Sequence, residues 1–134
     1  MPRYFMYTLG DESIPFEPPS DQLMEEMGAL VQRTMESGKM VATGGFVPSA
    51  YGGCLVSLKD GEFTVTDGPF SEAKELVGGW ALVDAADRDE AIAMTKEFLS
   101  IVGAGESRIR QVLGPEDNQW ENDESREQLL KPLG

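Results

Sequence analysis

Val65-Thr66-Asp67-Gly68-Pro69-Phe70-Ser71-Glu72-Ala73-Lys74-Glu75 is the stretch on which the reading of this chain turns. Its first residues close an apolar run, Glu62-Phe63-Thr64-Val65-Thr66, that reads as a strand. Asp67-Gly68-Pro69 then ends that strand in a turn, because an aspartate side chain can bond nearby main-chain N–H groups. Upstream, Asp60-Gly61 separates the run from Gly53-Cys54-Leu55-Val56-Ser57-Leu58. Asp-Gly between two apolar runs predicts a hairpin, since a type I′ turn needs positive φ at both central residues. Downstream, Val77 to Asp84 reads as a further strand, containing Gly78, Gly79 and Trp80.

Working outward on the N-terminal side, Arg3-Tyr4-Phe5-Met6-Tyr7-Thr8-Leu9 is a strand apolar on both faces, which predicts a central, buried position. Gly10 to Pro19 is a loop of acids, glycine and prolines. Ser20 caps a helix running to about Ser37, whose stripe is Leu23, Met27, Leu30, Val31, Thr34 and Met35. Gly38 stands where a left-handed terminator is wanted. Met40-Val41-Ala42-Thr43 is a short strand ending in Gly44-Gly45. On the C-terminal side, Asp87 with Glu90 forms a capping-box pattern for a second helix. Ala91, Ile92, Thr95, Phe98 and Leu99 form its buried face, and Gly103 and Gly105 end the connection. Ser107 to Leu113 is the last strand.

Removing the hairpin leaves strand, helix, strand, strand, helix, strand. That is the ferredoxin-like βαββαβ order, an α+β antiparallel sheet with two helices on one face and an extra β-hairpin. The other sheet face also carries apolar residues and needs a cover, for which a second subunit packed face to face is the economical choice. The 134 residues fit one domain with its own core. Composition shifts after Pro115, so residues 1–115 are expected to be the domain and 116–134 an acidic tail docking on the domain or on the partner subunit through Leu129, Leu130 and Leu133.

Charge and composition narrow the function classes. Acids outnumber bases 24 to 11, a net charge of −13 that disfavours direct nucleic-acid binding and anionic membrane surfaces. No apolar run is long enough to span a bilayer. A single cysteine, Cys54, and no leader pattern over Met1 to Gly10 give a cytoplasmic expectation, with Cys54 an inert small hydrophobe. The chain holds no histidine, which removes Ser-His-Asp and Cys-His chemistry and leaves too few ligands for a zinc site. Neither metal nor cofactor is expected.

The long central stretch, followed by Val77-Gly78-Gly79-Trp80, resembles the signature of the YCII-related, or DGPF-motif, family. Arg3 to Leu9, Gly38-Lys39-Met40-Val41 and Ile109-Arg110 resemble its opening strand, its strand after the first helix and its closing strand, so the resemblance covers roughly residues 3 to 113. It implies a ferredoxin-like fold assembling as a dimeric α+β barrel. In some relatives it implies a His–Asp pair in lyase- or isomerase-like chemistry, and genes of this type often accompany transcription-initiation factors. This chain departs from the pattern: it has no histidine for that pair, and it has Arg108 and Gln111 where the family often shows an acid and a proline.

Five residues are candidates for a site near the motif. Asp67 is either a carboxylate base in a cleft or the bonding residue of its own turn. Phe70 is a core or pocket-wall residue. Lys74 can hold an anionic substrate or lie in a solvated charged cluster with Glu72 and Glu75. Arg110, with Arg108 on the same face, lies on a strand expected to be central, where a buried charge must find a partner; it can bind a carboxylate or phosphate or pair across a dimer interface. Trp80 and Leu82 share one strand face, and Tyr4 and Met6 another, as core or cavity lining. The expected function is a homodimer that binds a small anionic or aromatic ligand, or a protein partner, in a cleft near the motif. The alternatives are a cofactor-independent lyase or isomerase with Asp67 as base, and an accessory protein acting in transcription initiation through protein contacts.

Overall fold

The computed structural model describes residues 1–10, 17–69 and 76–114, the side chains of Leu76 and Val77 excepted. In chain order the elements are β1 (Arg3–Gly10), α1 (Asp21–Glu36), β2 (Met40–Gly45), β3 (Cys54–Lys59), β4 (Glu62–Asp67), β5 (Leu76–Asp84), α2 (Arg88–Val102) and β6 (Ser107–Val112). Four strands make an antiparallel sheet in the order β2-β5-β1-β6, and β3 and β4 form a separate two-stranded ribbon. This is the ferredoxin-like α+β arrangement with an added hairpin that the element order predicts.

Local chemistry sets the boundaries. The Ser20 hydroxyl accepts from the Leu23 N–H at 3.1 Å and starts α1. The Asp87 carboxylate accepts from the Glu90 N–H at 2.8 Å and starts α2. The second half of the predicted capping box is diverted, because the Glu90 carboxylate pairs with Lys39 at the start of β2. Gly103, at φ 92°, closes α2 with its N–H on the Leu99 carbonyl. Asp60 and Gly61, at φ 52° and 78°, make the turn between β3 and β4.

Cross-strand register sorts the sheet into two faces. Tyr4 faces Val83 and Met6 faces Ala81 and Ile109, all on the side covered by the helices. The fully buried apolar side chains there are few: Tyr4, Val83, Ala85 and Ala91 among the described residues. Phe5 faces Leu82 and Arg110, and Tyr7 faces Trp80 and Arg108, on the side the helices leave open. Beside Tyr7 the β1–β5 register slips, and the Thr8 hydroxyl takes over bonding there, accepting from the Gly79 N–H at 2.8 Å.

Several burial expectations are corrected. β6 is an edge strand, not a central one, so Arg108 and Arg110 are exposed rather than buried. Cys54 is exposed, not a buried hydrophobe, because the ribbon that carries it lies outside the core. Met35 of the α1 stripe is 60% exposed, and α1 buries no residue fully. β1 is central as expected, but only Tyr4 of its side chains is buried, since both described helices lie on one face of the sheet. The expected tail over 116–134 lies outside the described residues. No helix among those described is long and apolar enough to cross a membrane.

Candidate functional site

The helices do not close tightly on the sheet. Between α1, α2 and the covered sheet face lies a cavity of about 160 Å³. Its walls are thioether and aliphatic, from Met6 on β1, Met27 and Leu30 on α1, Met40 on β2 and Met94 on α2. Hydroxyls supply its polar points, chiefly Thr8, Thr34, Thr43 and Thr95. Most of these are already engaged. Thr34 donates to the Leu30 carbonyl at 2.8 Å, Thr43 to the Trp80 carbonyl at 2.9 Å, and Thr95 lies 2.9 Å from both the Ala91 carbonyl and the Met6 sulfur. Glu97 is the one carboxylate among the described lining residues; its side chain is half exposed and paired with Arg33 across α1 and α2 at 2.9 Å.

The cavity follows from sequence. Methionine is unbranched and flexible, so it borders irregular space without fixing it, and α1 contributes half-buried rather than buried side chains. Trp80 also lines the cavity, and its ring stacks with Phe5 at 5.8 Å. Gly44 makes room for that indole: a Cβ there would stand 3.0 Å from Trp80 Cζ2.

The motif sits elsewhere. Asp67 ends β4 opposite Cys54, exposed, at the base of the ribbon. Gly68 rests against the loop before β3, with its N–H on the Gly53 carbonyl at 2.8 Å, and the Gly68–Pro69 peptide is cis. The approach is close enough that a Cβ on Gly68 would lie 2.3 Å from the Ser49 carbonyl oxygen, and one on Gly53 2.6 Å from the same atom. Neither Asp67 nor Arg110 borders the cavity. Arg110 stands exposed on the open sheet face, two strands from Trp80 on that same face. The structure thus brings Arg110 and Trp80 to one surface and leaves Asp67 apart from both. Phe70 and Lys74 lie outside the described residues.

The shifted ionisation in this region belongs to Tyr4. Burial raises its phenol above the ordinary tyrosine value, Asp87 raises it further, and Arg88 opposes them. Among the described residues no group of three or more acids and cysteines could hold a metal ion. Sequence reading gave Met6 and Trp80 as core or cavity lining, and both border the cavity; it assigned Met27, Thr34 and Thr95 to packing stripes and did not mark Met40 or Met94 for a site. The available signal was the pairing of threonines on both apolar helix stripes with seven methionines in one short chain.

Comparison with known proteins bears on ancestry rather than on this cavity. A solved structure, 5-chloro-2-hydroxyhydroquinone dehydrochlorinase (TftG) from Burkholderia phenoliruptrix AC1100 in complex with 2,5-dihydroxybenzoquinone, is similar with a TM-score of 0.43 and 10% identity, over 85% of this chain and 96% of that one. An uncharacterised protein of Rhizobium meliloti (strain 1021) is 30% identical over 98 residues, 71% of this chain and 78% of its own. The model of the YCII-related domain matches residues 4–121. With a family match over nearly its whole length, the chain belongs to the YCII-related domain family.

Proposed function

We propose that this protein is a homodimeric binder of a small, neutral, largely apolar molecule of about one ring, held in the cavity between the helices and the sheet. One observation carries the reading: a cavity of 160 Å³ walled by methionine and aliphatic side chains, with hydroxyls as its polar points. A dry apolar cavity of about 150 Å³ is large enough to take benzene. Its chemistry favours the aromatic over the anionic side of the ligand expectation, because the one described carboxylate on its wall is negative and already paired. The lyase or isomerase reading puts Asp67 at the reacting atom, and Asp67 does not border this space, so the cavity lends it no support. The dimer half of the proposal rests on the open sheet face, where Phe5, Tyr7, Trp80 and Leu82 lie side by side with nothing from their own helices over them.

Thermal unfolding with added benzene, phenol or benzoate tests the ligand. A ligand at a hundred times its Kd stabilises by about 2.7 kcal/mol. Benzene or phenol should raise the wild-type Tm and benzoate should not. Ala81→Leu, which fills the cavity, should abolish the shift while Asp67→Asn keeps it. Equal binding of benzoate, or loss of the effect in Asp67→Asn alone, would return the site to the motif. Sedimentation at micromolar concentration tests the dimer.

A further inference from the structure

The β3–β4 ribbon is unlike the rest of the chain. Every residue in both strands is exposed, and the strands pack on each other and not appreciably on the four-stranded sheet or the helices. A lone two-stranded ribbon is marginal in water. This one is also two-faced. Register places Val56 opposite Val65 and Leu58 opposite Phe63 on one face, which ends at the base of the ribbon in Cys54 opposite Asp67. The other face carries Ser57 with Thr64 and Lys59 with Glu62, and Leu55 with Thr66 is its one pair with a large apolar member. Val56, Leu58, Phe63 and Val65 are 59 to 74% exposed, so a contiguous apolar strip has no cover in its own described chain.

We infer that this ribbon is an arm that lays its apolar face on a second copy of the chain, along the β6 side of that copy's open sheet face. The inference rests on the homodimer proposed above and specifies how it is held. Two observations select a second copy. First, the same chain presents an apolar aromatic surface of matching kind, Phe5, Tyr7, Leu82 and Trp80, also uncovered by its own helices. A two-fold pairing satisfies both surfaces at once, each arm on the other's sheet. Six-residue strands give the arm about 20 Å of length, enough to cross a four-stranded sheet at about 4.8 Å per strand spacing. Second, the charges are complementary. The arm is acidic, with Asp60, Glu62 and Asp67 against Lys59. The β6 edge of the open face carries Arg110, which no ion pair among the described residues occupies. In a chain of net charge −13, that edge is a place where another copy's acidic arm is attracted rather than repelled.

Energy transfer across mixed dimers tests the arm. One species keeps Trp80 as its sole tryptophan through Trp120→Phe and has no thiol through Cys54→Ser. The other lacks both tryptophans and carries a dansyl group at Lys59→Cys, on the polar face near the tip, with Cys54→Ser. Quenching of Trp80 with sensitised dansyl emission on mixing is the expected result. In parallel, Phe63→Asp should raise the dimer Kd at least tenfold, and Arg110→Glu should raise it and flatten its salt dependence. Mixed dimers in sedimentation without transfer, or an unchanged Kd in Phe63→Asp, overturn the arm and leave the homodimer standing. Transfer seen only when Trp80 and the label share one chain means the arm folds on its own protomer, which also overturns it. A monomeric wild type defeats the homodimer and the arm together.

Discussion

At the scale of single residues, Gly68 and Tyr4 carry the sharpest consequences. Gly68 is glycine because its α-carbon faces the Ser49 carbonyl, where a Cβ would stand at 2.3 Å from a backbone atom that cannot move aside. Gly68→Ala should therefore cost about 1–3 kcal/mol in urea unfolding, as overpacking does. Gly45→Ala, whose Cβ would meet its neighbour at an ordinary 3.8 Å, should stay within about 0.5 kcal/mol. Equal effects would show that the contact with Ser49 is not what the motif glycine serves. Tyr4 makes the fold sensitive to alkali. Burial, then Asp87, hold its phenol neutral above the ordinary value of 10.0. A folded-state value above the unfolded one contributes stability that is whole below the unfolded value and is lost as pH rises through the folded one. The urea midpoint should fall as pH rises beyond the ordinary value of 10.0, and Tyr4→Phe should make the fall shallower. A parallel decline in both proteins would assign the loss to other groups. That a strand ends at Asp67 was readable from Asp67-Gly68-Pro69, since Gly and Pro there break a strand's ladder. Its partner was not, because Ser49 lies nineteen positions away in sequence and only the folded loop brings its carbonyl under Gly68.

At the scale of elements, α2 depends on its first turn more than α1 does, because it supplies the buried Ala91 and Thr95 while α1 buries nothing fully. Asp87→Ala should cost about 1 kcal/mol, the usual worth of such a cap, and should also bring the Tyr4 titration down toward its ordinary range. Ser20→Ala, on the looser helix, should cost no more than that, as read by urea midpoints. Caps and the Asp60-Gly61 turn were legible because each depends on neighbours in sequence. Burial was less so. The alternation of Val56, Leu58, Phe63 and Val65 states that one ribbon face is apolar, and says nothing about which surface covers it. Cys54 was misread for that reason. Arg108 and Arg110 were misplaced for a related one: an alternating strand pattern does not reveal whether a strand lies at the centre of a sheet or at its edge.

At the scale of the whole molecule, a net charge of −13 on 134 residues makes self-repulsion a standing load on the fold. Screening over a Debye length of about 10 Å at 0.1 M salt should relieve it, so Tm should rise by several degrees between 10 mM and 300 mM sodium chloride. A Tm that falls with salt would mean that Arg3–Asp84, Arg33–Glu97 and Lys39–Glu90 outweigh the repulsion. The overall architecture was readable from element order, whereas the cavity was not, because empty space depends on how side chains fail to meet. Its methionine walls have one further implication. Met6, Met27, Met40 and Met94 can each change rotamer at little cost, so the space they enclose has no fixed outline. A pocket of that make adapts to guests of differing contour and discriminates poorly among them, and oxidation of any of the four thioethers would plant a dipole in its wall. Breadth of recognition and vulnerability to peroxide thus share one origin in the same four side chains.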